Sequence, residues 1–237
     1  MKGIILAGGT GSRVYPSTRV VSKQLLPVYD KPTIYYPLST LIKLGIKDIM
    51  IITNGVSYAN LLTLFNQAGA VKPYLGINFT FRIQTKPKGI AEALIIAEEW
   101  QGDDDVCLIL GDNIFTGIEP FFWSKNCGAH VVGYRVSNPC DYGVIETNDI
   151  SGRKAVKSIE EKPTDPKSNI AATGIYFYDK TAGERARNLT PSNRGELEIT
   201  DLNKSYLNDN LLCYSELDSN YAWFDTGNPD DLFAASM

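Results

Sequence analysis

The 237-residue sequence predicts an α/β fold in which a largely parallel sheet carries helices on both faces. Three observations predict it. Short apolar runs alternate with longer stretches of helical period through the first half. A glycine-rich turn, "LAGGTGSR", follows the first of those runs directly. Hydrophobic residues make up 43% of the chain, enough for a sizeable core.

In order, residues 2–7 read as a buried strand. Residues 32–44 place Ile34, Leu38, Leu41 and Ile42 on one face and stop at Gly45, the pattern of a helix. Residues 47–53 form a second apolar strand, and 57–67 a helix capped by Ser57. Residues 77–84 alternate as a strand, 89–100 read as a helix and 106–110 as a short buried strand. The second half is more mixed. Strands are expected at 129–136, 143–147, 155–161 and 171–178, and their short connections imply some antiparallel pairing. Residues 181–189 and 199–208 read as helices, while 211–217 and 222–225 are expected to close the sheet. No repeat, low-complexity segment or linker interrupts the chain, so residues 1–237 are expected to form a single domain.

A net charge of -4 and a pI near 5.1 argue against a nucleic-acid binder, while leaving room for a local basic pocket. No apolar run approaches the roughly 20 residues needed to span a membrane, and the N-terminus enters a strand without a leader-like pattern. A cytoplasmic protein with no membrane partner is expected. Cys107, Cys127, Cys140 and Cys213 are widely spaced with no C-x-x-C pair, the pattern of reduced thiols. The single histidine, His130, reads as structural, and Ser, Cys and His fall in no triad order.

The glycine turn fits neither common phosphate motif. A dinucleotide fingerprint needs a third glycine where Val14 stands, and no G-K-[ST] follows as a Walker A loop requires. A tight turn that uses glycine only for its φ freedom stays open. Arg13 and, ten residues later, Lys23 shift the balance. A bare backbone lets N–H groups point at phosphate oxygens, arginine offers a planar fork and lysine a compact charge. Together they suit a triphosphate tail, whereas singly each is an ordinary surface charge.

Asp112 in "LILGDNIF" follows the apolar strand 106–110, and carboxyl ends of strands are where open α/β sheets bind ligands. Asp225 in "AWFDTG" follows another apolar run, and two such carboxylates can converge on Mg²⁺. For Asp112 a plain turn role is the alternative. In "SIEEKP", Glu161 and Lys162 point to opposite sides of a regular strand, so only a bend at Pro163 lets both reach one ligand. A solvated strand end is the other reading. Glu196 in "RGELE" can equally cap the helix that follows.

Leu6 to Arg13, with "SKQLLP" at residues 22–27, resembles the signature of the sugar-phosphate nucleotidylyltransferases, and "VSKQLLPVYDKPTIYYP" is similar to the thymidylyltransferase branch of that family. The resemblance continues through "LGDNIF", "EEKP", "RGELEITDLN" and "WFDTG" and so covers nearly the whole chain. It implies a Rossmann-like three-layer sandwich with a mixed, mainly parallel central sheet, of the nucleotide-diphospho-sugar transferase type. It implies Mg²⁺-dependent, in-line transfer of a thymidylyl group from dTTP to glucose 1-phosphate by a homo-oligomer. By the same resemblance Leu6, Gly8, Gly9, Thr10, Gly11, Arg13, Gln84, Gly89 and Asp112 contact the nucleotide. Gly143, Glu161, Lys162 and Glu196 contact the sugar phosphate, and Asp112 and Asp225 the metal. Arg13, Lys23, Asp112 and Lys162 carry the chemistry. The Gln84 amide can both donate and accept, which suits a pyrimidine edge. Lys88 stands where the family often has Asp, and Glu92 where it often has Gln, which keeps UTP or another hexose 1-phosphate as an alternative. A non-catalytic nucleotide-sugar sensor is a further one. Relatives commonly continue past "DTG" with a helical region that builds a regulatory site; with only residues 228–237 after it here, inhibition competitive with dTTP is expected.

Overall fold

The computed structural model describes residues 1–9, 11–67, 76–116, 127–150 and 152–237, so Thr10 of the glycine turn lies outside the described residues. In chain order the strands are β1 (Lys2–Ala7), β2 (Pro27–Val28), β3 (Lys31–Pro32), β4 (Asp48–Thr53), β5 (Asn78–Ile83), β6 (Val106–Leu110), β7 (Asn113–Thr116), β8 (Ala129–Arg135), β9 (Gly143–Ile150), β10 (Arg153–Glu161), β11 (Ile170–Tyr178), β12 (Leu212–Glu216) and β13 (Ala222–Asp225). The helices are α1 (Tyr35–Lys43), α2 (Gly55–Gln67), α3 (Glu92–Gln101), α4 (Ala182–Arg187), α5 (Ile199–Asn208) and α6 (Pro229–Ala234). The backbone groups into two compact units. Met1–Pro87, Cys107–Phe121 and Ala222–Met237 form the first, Lys88–Val106 and Phe122–Tyr221 the second.

In the first unit β4 lies parallel to both β1 and β5, and β6 borders β1 on its other side. Ile4, Ile5, Ile49, Met50, Ile51 and Ile52 are fully buried. That continuous burial is what a parallel strand covered on both faces requires, and each such side chain contributes about 1.5–3 kcal/mol. Helix α2 sets Phe65 against Phe79, with ring centroids 4.8 Å apart, and Tyr58 edge-on to Phe81. Its cap is not Ser57. Asn54 Oδ1 accepts from the Ser57 N–H at 2.8 Å, which makes Asn54 the capping residue and starts the helix earlier than expected. Helix α1 starts later, because Lys31–Pro32 pairs with Pro27–Val28 in a ribbon and the Thr33 N–H and hydroxyl both donate to the Leu26 carbonyl.

Strand β13 does not close the sheet. It pairs antiparallel with β7, a strand the sequence pattern did not show, in the register Asp225 opposite Asn113 and Trp223 opposite Phe115. The Trp223 indole N–H donates to Asn113 Oδ1 at 2.6 Å within that ribbon.

The second unit has the strand order β10-β9-β11-β8-β12. The expected antiparallel pairing holds for β10 with β9 and for β11 with both β9 and β8, while β12 adds to β8 in parallel. All of β11 is buried, and the Tyr178 hydroxyl is satisfied by donating to Asn203 Oδ1 of α5 at 2.6 Å. The parallel register aligns Leu212 with Ala129 and Cys213 with His130. It brings Cys127 beside Cys213, Cα to Cα 5.8 Å, and the two form a disulfide. This corrects the expectation of four reduced thiols. A contact between residues 86 apart depends on strand register and leaves no trace in local spacing. Cys107 and Cys140 are free thiols. His130 is structural: its Nε2 lies 2.9 Å from Ser215 Oγ, and burial pushes its pKa down to about 4. No described helix is long and apolar enough to cross a membrane.

Candidate active site

The glycine turn leaves β1 in the first unit, and side chains from three other segments tie it down. Thr53 at the end of β4 donates its hydroxyl to the Ala7 carbonyl at 3.1 Å, and the Asn54 amide donates to the Gly9 carbonyl at 3.0 Å. The Gln24 amide reaches the Gly8 carbonyl at 3.3 Å, and the Thr18 hydroxyl donates to the Gly11 carbonyl at 2.6 Å. Gly9 has φ +93°, a left-handed conformation that favours glycine. Buried Gln84 packs on the turn, its Oε1 2.8 Å from where a Gly8 Cβ would stand. A short 3₁₀ turn over Ser12–Val14 carries Arg13, and a second over Lys23–Leu25 begins with Lys23.

The Leu6 carbonyl accepts the Gly111 N–H at 2.9 Å, which sets Asp112 beside the turn. Thr226, fully buried, clasps the Asp112 carbonyl with its own N–H at 3.0 Å and its hydroxyl at 2.7 Å. The β7–β13 ribbon and this clasp together bring Asp225 to Asp112, although the two lie 113 positions apart in the sequence. Lys23 donates to Asp112 Oδ2 in an ion pair whose side chains are 14% and 13% exposed. The Arg13 guanidinium and Asp225 Oδ1 both crowd Gly227, at 3.0 and 3.1 Å from where its Cβ would stand.

The charges in this cluster do not balance evenly. Burial opposes ionisation of Asp112, but the Lys23 ammonium outweighs it and holds that carboxyl below the usual range. Burial, and then the Asp112 charge, push the Asp225 carboxyl up to about 6 against the pull of Lys23 and Arg13. A pair of carboxylates in mutual repulsion suits a hard divalent cation. Among the described residues no group of three or more His, Cys, Asp or Glu side chains could hold a metal. A Mg²⁺ on this pair would therefore complete its shell with water and phosphate oxygens, which is its common habit.

The other site residues named from the sequence, apart from Thr10, lie in the second unit. Gly143 opens β9 directly opposite Glu161, the last residue of β10. The Thr200 hydroxyl donates to Glu161 Oε2 at 2.6 Å and lies 2.9 Å from where a Gly143 Cβ would stand. The expected bend falls at Lys162 itself and not at Pro163: Lys162 has φ +44°, and its N–H donates to the Tyr142 carbonyl at 2.9 Å. A left-handed lysine is strained and persists only where its surroundings hold it. Glu161 and Lys162 line one cavity of about 380 Å³ with Ser192, Arg194, Glu198 and Lys204.

Glu196 does not cap the following helix. Glu198 holds the N-cap position of α5, and Glu196 instead lies 3.6 Å from Arg194. Arg194 was not singled out in the sequence, yet its guanidinium meets three carboxylates. It donates to Glu198 at 2.9 and 3.0 Å and to Glu161 at 3.4 Å, with Glu196 beside it. The usable signal was an arginine within the "RGELE" motif itself. Gly89, φ +99°, lies against another backbone segment. A Cβ there would run into Leu197, within 2.7 Å of its nitrogen, and the Leu197 N–H donates to the Lys88 carbonyl at 2.7 Å. The Lys88 N–H donates to Glu92 Oε2 at 3.3 Å.

A model of the nucleotidyl transferase family matches residues 2–237. A glucose-1-phosphate thymidylyltransferase of Neisseria meningitidis is 51% identical over all of this chain and 81% of its own length. A crystal structure of a Bacillus anthracis protein described as a glucose-1-phosphate thymidylyltransferase, in complex with a sucrose, is 43% identical with a TM-score of 0.88, covering all of this chain and 94% of that one. A UDP-glucose pyrophosphorylase complexed with UDP-glucose, 24% identical, has a TM-score of 0.87 over 99% of this chain and 96% of its own and shares the fold. The fold is α/β with a mixed, mainly parallel central sheet and helices on both sides, as expected from the sequence. With the family match spanning almost every residue, the chain belongs to the nucleotidyl transferase family.

Proposed function

We propose that residues 1–237 act as one nucleotidyltransferase domain that converts dTTP and glucose 1-phosphate to dTDP-glucose and pyrophosphate. The observation that carries this reading is the partly buried Asp112–Asp225 carboxylate pair beside Lys23, Arg13 and a side-chain-anchored glycine turn. The names of relatives at half identity support the choice of substrates. A phosphate oxygen of the sugar forms a bond to the α-phosphorus as the bond from that phosphorus to the β-phosphate oxygen breaks, and pyrophosphate leaves. The attacking oxygen is already anionic, so no general base is needed, and catalysis rests on positioning and charge.

In this proposal Leu6, Gly8, Gly9, Thr10, Gly11 and Arg13 receive the nucleotide's phosphates, while Gln84 and Gly89 read its base. Lys23 draws off the charge of the leaving pyrophosphate. Lys162 steers the sugar phosphate, and Gly143, Glu161 and Glu196 hold the sugar hydroxyls. Asp112 and Asp225 would hold Mg²⁺, which supplies charge neutralisation at the phosphates. The enzyme is read as a cytoplasmic homo-oligomer. Pyrophosphate release with Mg²⁺, glucose 1-phosphate and either dTTP or UTP tests the proposal. Release with dTTP well above that with UTP is expected, and none with either nucleotide would overturn it.

A further inference from the structure

We propose that Asn54 is a positioning residue for the nucleotide's phosphates, holding the Gly9 peptide in its receiving shape; this rests on the reading of the glycine turn given above. The side chain acts at both ends. Its Oδ1 accepts the Ser57 N–H at 2.8 Å and so caps α2, while its Nδ2 donates to the Gly9 carbonyl at 3.0 Å. A group bound to a helix N-terminus has few ways to move. Asn54 therefore passes the rigidity of α2 to the most permissive residue of the turn.

Gly9 needs that restraint. It has φ +93°, and among the described residues, its chain neighbours aside, no atom lies within 4 Å of where its Cβ would stand, so their packing does not fix its orientation. The preceding carbonyls are fixed from other directions, Ala7 by the Thr53 hydroxyl at 3.1 Å and Gly8 by the Gln24 amide at 3.3 Å. In a trans peptide the carbonyl and the next N–H point opposite ways, so the pinned Ala7 and Gly8 carbonyls aim the Gly8 and Gly9 N–H groups, and the Asn54 bond to the Gly9 carbonyl limits rotation about Gly9 itself. Thr53 and Asn54, neighbours at the end of β4, thus hold alternate carbonyls of the turn. A turn ordered before the phosphates arrive does not spend binding energy on ordering it.

Asn54→Ser separates the two ends. Serine caps helices about as well as asparagine, but it is one atom shorter and lacks the amide that reaches Gly9. In the full chain, dTTP binding measured by calorimetry is expected to weaken roughly three- to tenfold, the range of one lost hydrogen bond. The melting temperature should stay near wild type, and the KM for glucose 1-phosphate should not move. Asn54→Ala loses both ends, so it should weaken dTTP similarly and also melt lower. A purely structural cap would leave dTTP affinity unchanged in Asn54→Ser, and that result would overturn the inference. Equal weakening of both substrates would overturn it as well. A wild-type chain that does not bind dTTP would instead sink the proposed function, a distinct outcome.

Discussion

Replacing Asp225 by Asn should make the metal-free protein more stable while abolishing its activity. In the folded chain burial and the Asp112 charge raise the Asp225 carboxyl from its ordinary 3.8 to about 6, and the pull of Lys23 and Arg13 is already included in that balance. At about 1.4 kcal/mol for each tenfold displacement, keeping Asp225 ionised at neutral pH costs on the order of 2–3 kcal/mol. Asparagine keeps the shape and drops the charge, so Asp225→Asn should recover about 1–3 kcal/mol. For a chain of this length that is several degrees of melting temperature, at roughly 2–4 °C per kcal/mol. The pH dependence has a definite sign. A carboxyl raised on folding favours the folded state most when protonated, and that contribution is lost as pH rises through the folded value near 6. The advantage of Asp225→Asn should therefore be full near pH 8, fall to about half near pH 5 and vanish near pH 3. Thermal melts of both proteins in a chelator across that range measure it. A variant that melts below wild type at pH 8, or a gap that does not narrow towards pH 5, would refute the electrostatic reasoning. Pyrophosphate release by the same variant, with Mg²⁺ restored, should be close to background.

Asp112→Asn should have the opposite effect on stability, because it leaves the largely buried Lys23 ammonium without its carboxylate. The same melts should show a loss of about 1–3 kcal/mol, and turnover should drop by ~100-fold or more from lost charge stabilisation at the phosphates. Lys162→Ala should raise the KM for glucose 1-phosphate more than that for dTTP, and Arg13→Ala should act mainly on dTTP and kcat. Steady-state kinetics in which both variants affect both substrates alike would undo that division of roles. Gly89→Ala should destabilise the protein by about 1–3 kcal/mol in a denaturant titration, because an alanine at φ +99° is strained and its Cβ meets the Leu197 backbone. An unchanged midpoint would show that the turn relaxes at no cost.

Much of the sheet was legible for a simple reason. Strands β1, β4 and β6 are buried on both faces, so their sequences are unbroken apolar runs that need no partner to be recognised. What those strands meet is a non-local question. Strand β13 reads correctly as Ala222–Asp225, yet its partner β7 lies over a hundred residues earlier, and only the pairing shows that the ribbon sits apart from the sheet. The disulfide was hidden by the same gap between local pattern and distant register. Caps fail differently: Asn54 and Ser57 are both good capping residues three positions apart, and the choice fell to the one that also reaches Gly9.

The site residues divide along the same line. Residue types were readable, because a carboxylate at a strand end or a lysine after a glycine turn advertises its chemistry. The electrostatic states were not, because each is set by neighbours from another segment. Asp112 and Asp225 look equivalent in sequence, but Lys23 pairs with the first, and that pairing leaves the second to bear the repulsion. Glu196 and Glu198 look equivalent as well, but Glu198 heads α5 and takes the Arg194 fork, leaving Glu196 half exposed at 3.6 Å. In each pair one carboxylate takes the close contact with a protein cation, and its twin shares that cation at longer range. The asymmetry gives the twins different tasks: Asp112 keeps Lys23 in place, and Asp225 carries the unmet charge that a cation would relieve. That is why the two aspartate substitutions must move stability in opposite directions even though both remove activity.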